Sequence, residues 1–141
     1  MKCRVLASSR LWRDVDDAMG YVGLFLKNPK AARELLRAVD SALSALSEFP
    51  ERHPLANDAA LAALGIRFAD VKRYFLFYWV DRNASEVIAL RFLHAKSDWA
   101  SILRRDIPKD GTIAAFREIE DGSGHHFSGT TEELFDELPG H

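Results

Sequence analysis

The most informative hydrophobic pattern in this chain is a stretch with no polar alternation. Tyr74 to Val80 reads Tyr-Phe-Leu-Phe-Tyr-Trp-Val without interruption. A strand with one wet face alternates apolar and polar side chains, so this run predicts a strand covered on both faces. After the polar break Arg82-Asn83-Ala84-Ser85 a second run, Glu86 to His94, is again rich in branched and aromatic residues. The pair predicts a β-hairpin within Lys72–Trp99. Side-chain alternation puts Phe75, Phe77 and Trp79 on one face and Tyr74, Leu76, Tyr78 and Val80 on the other.

Upstream the period changes to that of a helix. Leu11, Val15, Ala18, Met19, Val22 and Leu26 form the stripe of an amphipathic helix of about four turns. Asn28-Pro29 restarts a second helix, with Asn28 as N-cap and Pro29 at the first helical position. Ala32, Leu35, Leu36, Val39, Leu43 and Leu46 give its stripe, and Phe49-Pro50 ends it. So short a connection makes an antiparallel helical hairpin, the expected cover for one face of the sheet. Cys3–Ala7 reads as a first strand. Asp58 caps a short helix reaching Leu64, with Gly65 just past its end. Ile66–Val71 leads as a strand into the hairpin, and Ser97–Leu103 is a short helix with Ser97 as cap. The fold class expected is α+β: a helical hairpin on a small, mostly antiparallel sheet of three to four strands.

Beyond Arg105 the organisation differs. Ile107-Pro108 is extended, and Thr112–Ile119 is helical with Ile113, Phe116 and Ile119 on one side. Asp121–Gly124 breaks the pattern, and His125–Ser128 is extended. Thr130-x-x-Glu133 is a capping box opening a helix with Leu134, Phe135 and Leu138. Helices this short are marginal alone. The chain therefore divides into a body, 1–105, and a tail, 106–141, expected to wrap onto the second sheet face or the outside of the helical hairpin.

Charge sharpens that division. The chain's net −2 is the sum of about +5 on the body and −7 on the tail. A basic body and an acidic tail attract each other, or the tail competes with an anionic partner; a solvated tail that only aids solubility is the plain alternative. At 141 residues there is room for one ordinary core. No apolar run approaches the roughly 18 residues needed to span a bilayer. The apolar part of Met1–Ala7 is too short for a secretory signal, so a cytoplasmic location is expected. A single cysteine, Cys3, makes no internal disulfide and no cysteine metal site. Neither metal nor cofactor is expected.

The order strand, helical hairpin, short turn, then β-meander ending in Leu93-His-Ala-Lys-Ser-Asp-Trp99 resembles the RelE/ParE superfamily of bacterial type II toxins, particularly its ParE-like branch. Leu46-Ser-Glu-Phe-Pro50, Gly65-Ile-Arg67, Val71–Asp81 and Arg91-Phe-Leu-His94 carry the resemblance, which covers about residues 1–105. Ile107–Asp121 and His126–Leu138 resemble the toxin-neutralising part of RelB/DinJ-type antitoxins. The resemblance implies a toxin whose antitoxin partner is supplied in cis by residues 106–141, or in trans. Ile113, Phe116, Ile119, Phe127, Leu134 and Phe135 would be the tail's contacts. Docking on a neighbouring copy would instead give a domain-swapped homodimer.

ParE-like toxins are not enzymes; the resemblance implies DNA gyrase as target, with Lys72, Arg73, Arg91, Lys96 and Trp99 as partner-binding residues. RelE-like members are ribosome-dependent mRNA endonucleases that use cationic side chains with a Tyr or His. RNA cleavage at the 2′-OH needs a base, an acid and a cation beside the phosphorane. Where the RelE-like pattern has arginine, arginine and tyrosine, this chain has Phe75, Lys96 and Ile102. The candidates left for a ribonuclease are Arg67, Arg73, Arg91, His94 and Lys96. His94 is the candidate acid or base, or else a structural histidine closing the last strand. A third reading is a toxin-like interaction module without toxicity.

Overall fold

In the computed structural model, which describes residues 3–106 and 125–127, the elements are β1 (Arg4–Ala7), α1 (Ser9–Gly20), a π-helical segment (Tyr21–Phe25), α2 (Pro29–Glu48), α3 (Ala59–Ala63), β2 (Arg67–Val71), β3 (Tyr74–Asp81), β4 (Glu86–His94), α4 (Trp99–Asp106) and β5 (His125–Phe127). The unalternated run has become β3, the second strand from one edge of a sheet ordered β2-β3-β4-β1-β5. β2, β3 and β4 form an antiparallel meander, β1 joins β4 in parallel, and β5 pairs antiparallel with β1. The sheet has one strand more than expected, because the extended segment at His125 closes the outer edge of β1. The helices expected at Thr112–Ile119 and after Thr130 lie outside the described residues, as do Ile113, Phe116, Ile119, Leu134 and Phe135.

The two faces of β3 divide as the alternation predicts. Leu76 and Tyr78 join Val87, Ala89 and Phe92 of β4 in a core closed by Leu11, Trp12 and Val15 of α1 and Leu35, Val39, Leu43 and Leu46 of α2. Phe77 joins Ile88 and Leu90 in a second core with Leu61, Ile66 and Leu103, on which Phe75, Trp79 and Trp99 pack. Among the described residues, α3 and α4 cover this second face. These two helices look like connectors in the sequence, yet Leu61 and Leu103 are fully buried.

Local signals explain most boundaries. Asn28 Oδ1 accepts from the Ala31 N–H at 3.1 Å with Pro29 opening α2, and Asp58 Oδ1 accepts from the Leu61 N–H at 3.1 Å to start α3. Gly65 has φ +84°, a conformation that suits glycine at the end of α3. Two expectations need correction. Ser97 does not cap α4 with its side chain: its hydroxyl donates back to the His94 carbonyl at 2.6 Å. The first helix does not continue regularly to Leu26; after Gly20 it widens into the π-helical segment, and Leu26 is left exposed.

β1 is four residues long and on β4 pairs with Glu86–Ala89 alone, so among the described residues Leu90–His94 has no partner strand on that side. Ser8 continues the pairing by one step, its N–H donating to the Ala89 carbonyl at 3.0 Å and its hydroxyl to the Leu90 carbonyl at 2.8 Å. A β-bulge then intervenes, with Phe77 opposite Arg91 and Tyr78 opposite Ala89. Asp14 of α1 finishes the edge: its carboxylate accepts the Phe92 N–H at 3.0 Å and two bonds from Arg91, at 2.6 and 3.0 Å. Arg91 also pairs with Asp106 at the end of α4. One guanidinium thus ties together α1, β4 and α4.

Two predictions follow from these bonds. Removing one member of a buried ion pair strands its partner, so Arg91→Ala should cost about 3–5 kcal/mol in urea unfolding. The Arg91→Ala, Asp14→Ala double variant should show a coupling of about 1–3 kcal/mol, and simple additivity would contradict the tie. The Tyr78 hydroxyl, fully buried, donates to the Pro50 carbonyl at 2.6 Å, and burial pushes its pKa up to about 12 against the opposing charge of Arg67. A raised folded pKa means stability that is intact below the ordinary tyrosine value and lost as pH rises through the folded one. On the order of 2 kcal/mol should disappear between about pH 10 and about pH 12. Tyr78→Phe should cost about 1 kcal/mol at neutral pH and flatten that alkaline decline in denaturation curves.

Candidate functional site

Several of the cations singled out from the sequence are committed to the fold. Arg91 is nearly buried, its side chain 12% exposed. Burial alone would lower its pKa, but the bonds and charge of Asp14, then Asp106, outweigh this and hold it raised. Arg67 donates to the His53 carbonyl at 2.7 Å and sits 3.8 Å from Glu51. Trp99 is turned inward, its ring 5.2 Å from Phe77 and 6.1 Å from Phe75. These three anchor secondary structure. Lys96 is exposed, on the turn after β4.

Lys72 and Arg73 have a different setting. They form the tight turn between β2 and β3, both exposed, and Lys72 has φ +59°. A lysine in this left-handed region carries strain that glycine or asparagine would carry at less cost. The turn stands beside a cavity of about 680 Å³ between the sheet and the α1–α2 junction, lined by Tyr21, Val22, Leu26, Leu35, Tyr74 and His94 together with Lys72, Arg73, Asn28, Ala31 and Glu34. A second hollow, about 220 Å³, shares Tyr21, Tyr74 and His94 and continues past Phe92 to Asp14, Asp17 and Ser97. The two make one trough.

The side chains at its centre are held firmly. Tyr74 stacks on Phe92 at 4.8 Å with an interplanar angle of 12°, and the His94 ring meets it edge-on at 5.1 Å. His94 Nδ1 accepts the Lys96 N–H at 3.1 Å, which leaves Nε2 as the nitrogen available to a ligand. Burial, then the nearby Tyr21, raises the Tyr74 pKa, so the phenol is a hydrogen-bond donor at neutral pH and not a base. The trough therefore offers an apolar floor, two phenols, one imidazole and cations at one end. Among the described residues no group of three metal-ligating side chains gathers, and no helix is long and apolar enough to cross a membrane.

The structure thus brings together Lys72, Arg73 and His94, and places Arg67, Arg91 and Trp99 elsewhere. Sequence reasoning missed Tyr21 and the residues after it. Leu24, Phe25 and Leu26 are 82%, 73% and 52% exposed, and Tyr21 stacks on Phe25 at 5.1 Å. A signal was present: Tyr21-Val-Gly-Leu-Phe-Leu26 has too many apolar residues for one helical stripe, so some must face outward.

The family model described as the ParE toxin of the type II toxin-antitoxin system, parDE, matches residues 5–99. No curated protein matches significantly. Among solved structures, the chain is similar to one in the crystal structure of the toxin-antitoxin complex RelBE2 from Mycobacterium tuberculosis, with 24% identity, a TM-score of 0.48, and coverage of 67% of this chain and 99% of that one. The family match runs from Val5 in β1 to Trp99, the first residue of α4, and so includes α1, α2, α3, the β2–β3–β4 meander and the whole trough, but not β5. The chain belongs to the ParE toxin family of type II toxin-antitoxin systems.

Proposed function

We propose that this chain arrests bacterial growth by binding DNA gyrase, and that its own C-terminal segment restrains it as an antitoxin would in trans. The observation that carries the first half is the commitment of two of the three candidate catalytic arginines, Arg67 and Arg91, to the fold. Arg91 is bound by Asp14 and Asp106, and Arg67 by the His53 carbonyl and Glu51. Phe75, at a position where the RelE-like pattern has arginine, packs against Phe68 at 4.7 Å and against Trp99. Cleaving RNA needs an acid, a base and a free cation in register. A protein that works by binding needs a surface, and the trough with its exposed apolar rim supplies one.

The second half is supported by β5. His125–Phe127 adds to the outer edge of β1 with Val5 opposite Phe127 and Ala7 opposite His125. An open edge presents unpaired N–H and C=O groups to any extended partner, and a strand added there satisfies them. Tethering makes the addition intramolecular, with an effective concentration around millimolar, so weak pairing suffices. The opposite charges of body and tail favour it further. An antitoxin arriving in trans would contend for the same edge, and exchange of β5 between copies would give the swapped dimer.

The second reading, a ribosome-dependent mRNA endonuclease, draws on the gathering of His94, Tyr74, Lys72 and Arg73 around one cavity. The two readings separate in cells. Residues 1–106, which keep α4 and the Arg91–Asp106 pair, should inhibit growth more strongly on induction than the full chain, and separately expressed 107–141 should reverse the effect. A truncation no more inhibitory than the full chain sinks the restraint. Primer extension on translated messages should show no codon-phased cuts; such cuts, lost in His94→Ala, would establish the nuclease instead.

A further inference from the structure

The outward face of α2 carries an unbalanced positive charge. Lys30, Arg33 and Arg37 recur at helical spacing on its exposed side, with Lys27 just ahead of the helix and Ser41 one turn further on. The opposite side is buried through Ala32, Leu35, Val39 and Leu43. Of the carboxylates on this stretch, Glu34 lines the trough and Asp40 is buried. Among the described residues none of these four cations pairs with a carboxylate, whereas Arg4, Arg67, Arg82, Arg91 and Arg104 all do.

Helix stability does not account for this placement. The macrodipole favours acidic side chains in the first turn of a helix and basic ones in the last, and α2 has neither. It opens with Lys30 and closes with Glu48 instead. Lys30 with Arg33, and Arg33 with Arg37, are like-charge neighbours three and four residues apart, which weaken a helix. Lys27 has φ +55°, a left-handed conformation that glycine or asparagine takes at less cost. The cations are kept here at some cost to the fold, a pattern found at binding surfaces.

We propose that this face of α2 is a contact surface for the phosphate backbone of double-stranded DNA, bound without regard to sequence. What accompanies the cations decides the occupant. An anionic membrane is held by cations together with apolar side chains that enter the lipid, and the exposed residues of α2 from Lys30 to Ser41 include none. Single-stranded nucleic acid is gripped by stacking on aromatic rings, and the same residues include no ring. A duplex backbone asks for cations and hydroxyls alone. Lys30 and Arg37 are about 10 Å apart along the helix axis, near the ~12 Å width of the B-form major groove, so they reach phosphates on its two sides with Arg33 between them. The narrow major groove of an RNA duplex does not match that span. Asp16 and Asp17, exposed on α1, repel phosphate and confine the surface to α2. Lys30, Arg33 and Arg37 line neither hollow of the trough, so DNA on this face leaves the trough open to a protein. The proposal stands whether or not gyrase is the target.

The test uses the full chain and the fluorescence anisotropy of a labelled DNA duplex of about two helical turns. The chain should bind it at about 50 mM salt and lose roughly a hundredfold in affinity by about 200 mM, from the log–log slope of about −3 to −4 that four phosphate contacts give. Arg33→Glu with Arg37→Glu should weaken binding about tenfold or more and flatten the slope by about two. Two variants separate the contact from the fold. Lys30→Glu puts an acid in the first turn of α2, so the thermal midpoint should be no lower while DNA binding falls. Lys27→Gly relieves the positive φ and should give the same pair of results. Arg52→Glu makes an equal charge change on the exposed loop after α2 and should leave binding nearly unaltered. The proposal is overturned if the duplex does not bind at low salt, if the α2 variants bind like the unaltered chain, or if Arg52→Glu weakens binding as much as they do. Tighter binding of single-stranded DNA, an RNA duplex or phosphatidylserine vesicles through the same α2 residues would also overturn it.

Discussion

A mismatch in strand length shapes this protein. β1 is four residues long and β4 is nine, so among the described residues half of a central strand has no partner strand on one side. Unpaired backbone groups in such a place are costly unless something satisfies them. Here Ser8 and Asp14 do so from the start of the chain, and the carboxylate that takes the Phe92 N–H also grips Arg91. Asp106 completes the arrangement from α4. The helical hairpin on one face and α4 on the other are joined at this edge, where Arg91, next to the bulge, pairs with both Asp14 and Asp106.

That arrangement bears directly on function. A guanidinium held by two carboxylates is not available to a phosphate, and Arg67 is similarly engaged. Of the candidate cations left exposed, Lys72 and Arg73 share one turn beside a trough whose floor is apolar and aromatic, while Lys96 lies on the turn after β4. Such a surface recognises by shape and charge. The acidic segment beyond α4 returns to the body as β5, on the one sheet edge that the meander leaves open beside β1.

Much of the fold was legible because it rests on local rules. Asn28-Pro29, Asp58, Gly65 and Phe49-Pro50 mark their boundaries by side-chain chemistry alone, and the two-sided burial of Tyr74–Val80 follows from its lack of polar residues. The identity of the second cover was not legible. Leu61 and Leu103 lie on helices too short to show a period, and their burial depends on contacts far apart in sequence. The bulge was hidden too, since Leu90 and Phe92 are both apolar and either register keeps them inside. At the site, Lys72, Arg73 and His94 were visible as candidates, whereas Arg91 looked free because Asp14 lies 77 residues away. The exposed segment Tyr21–Leu26 was masked by its resemblance to the end of a helical stripe.

The most direct measurement is made with purified gyrase, supercoiled DNA and translating ribosomes, each incubated with residues 1–106. Binding without catalysis predicts that cleaved DNA accumulates on gyrase in proportion to the protein added, saturating near one equivalent, while ribosome-bound message stays intact. Message cut repeatedly by substoichiometric protein, with gyrase unaffected, would contradict the account.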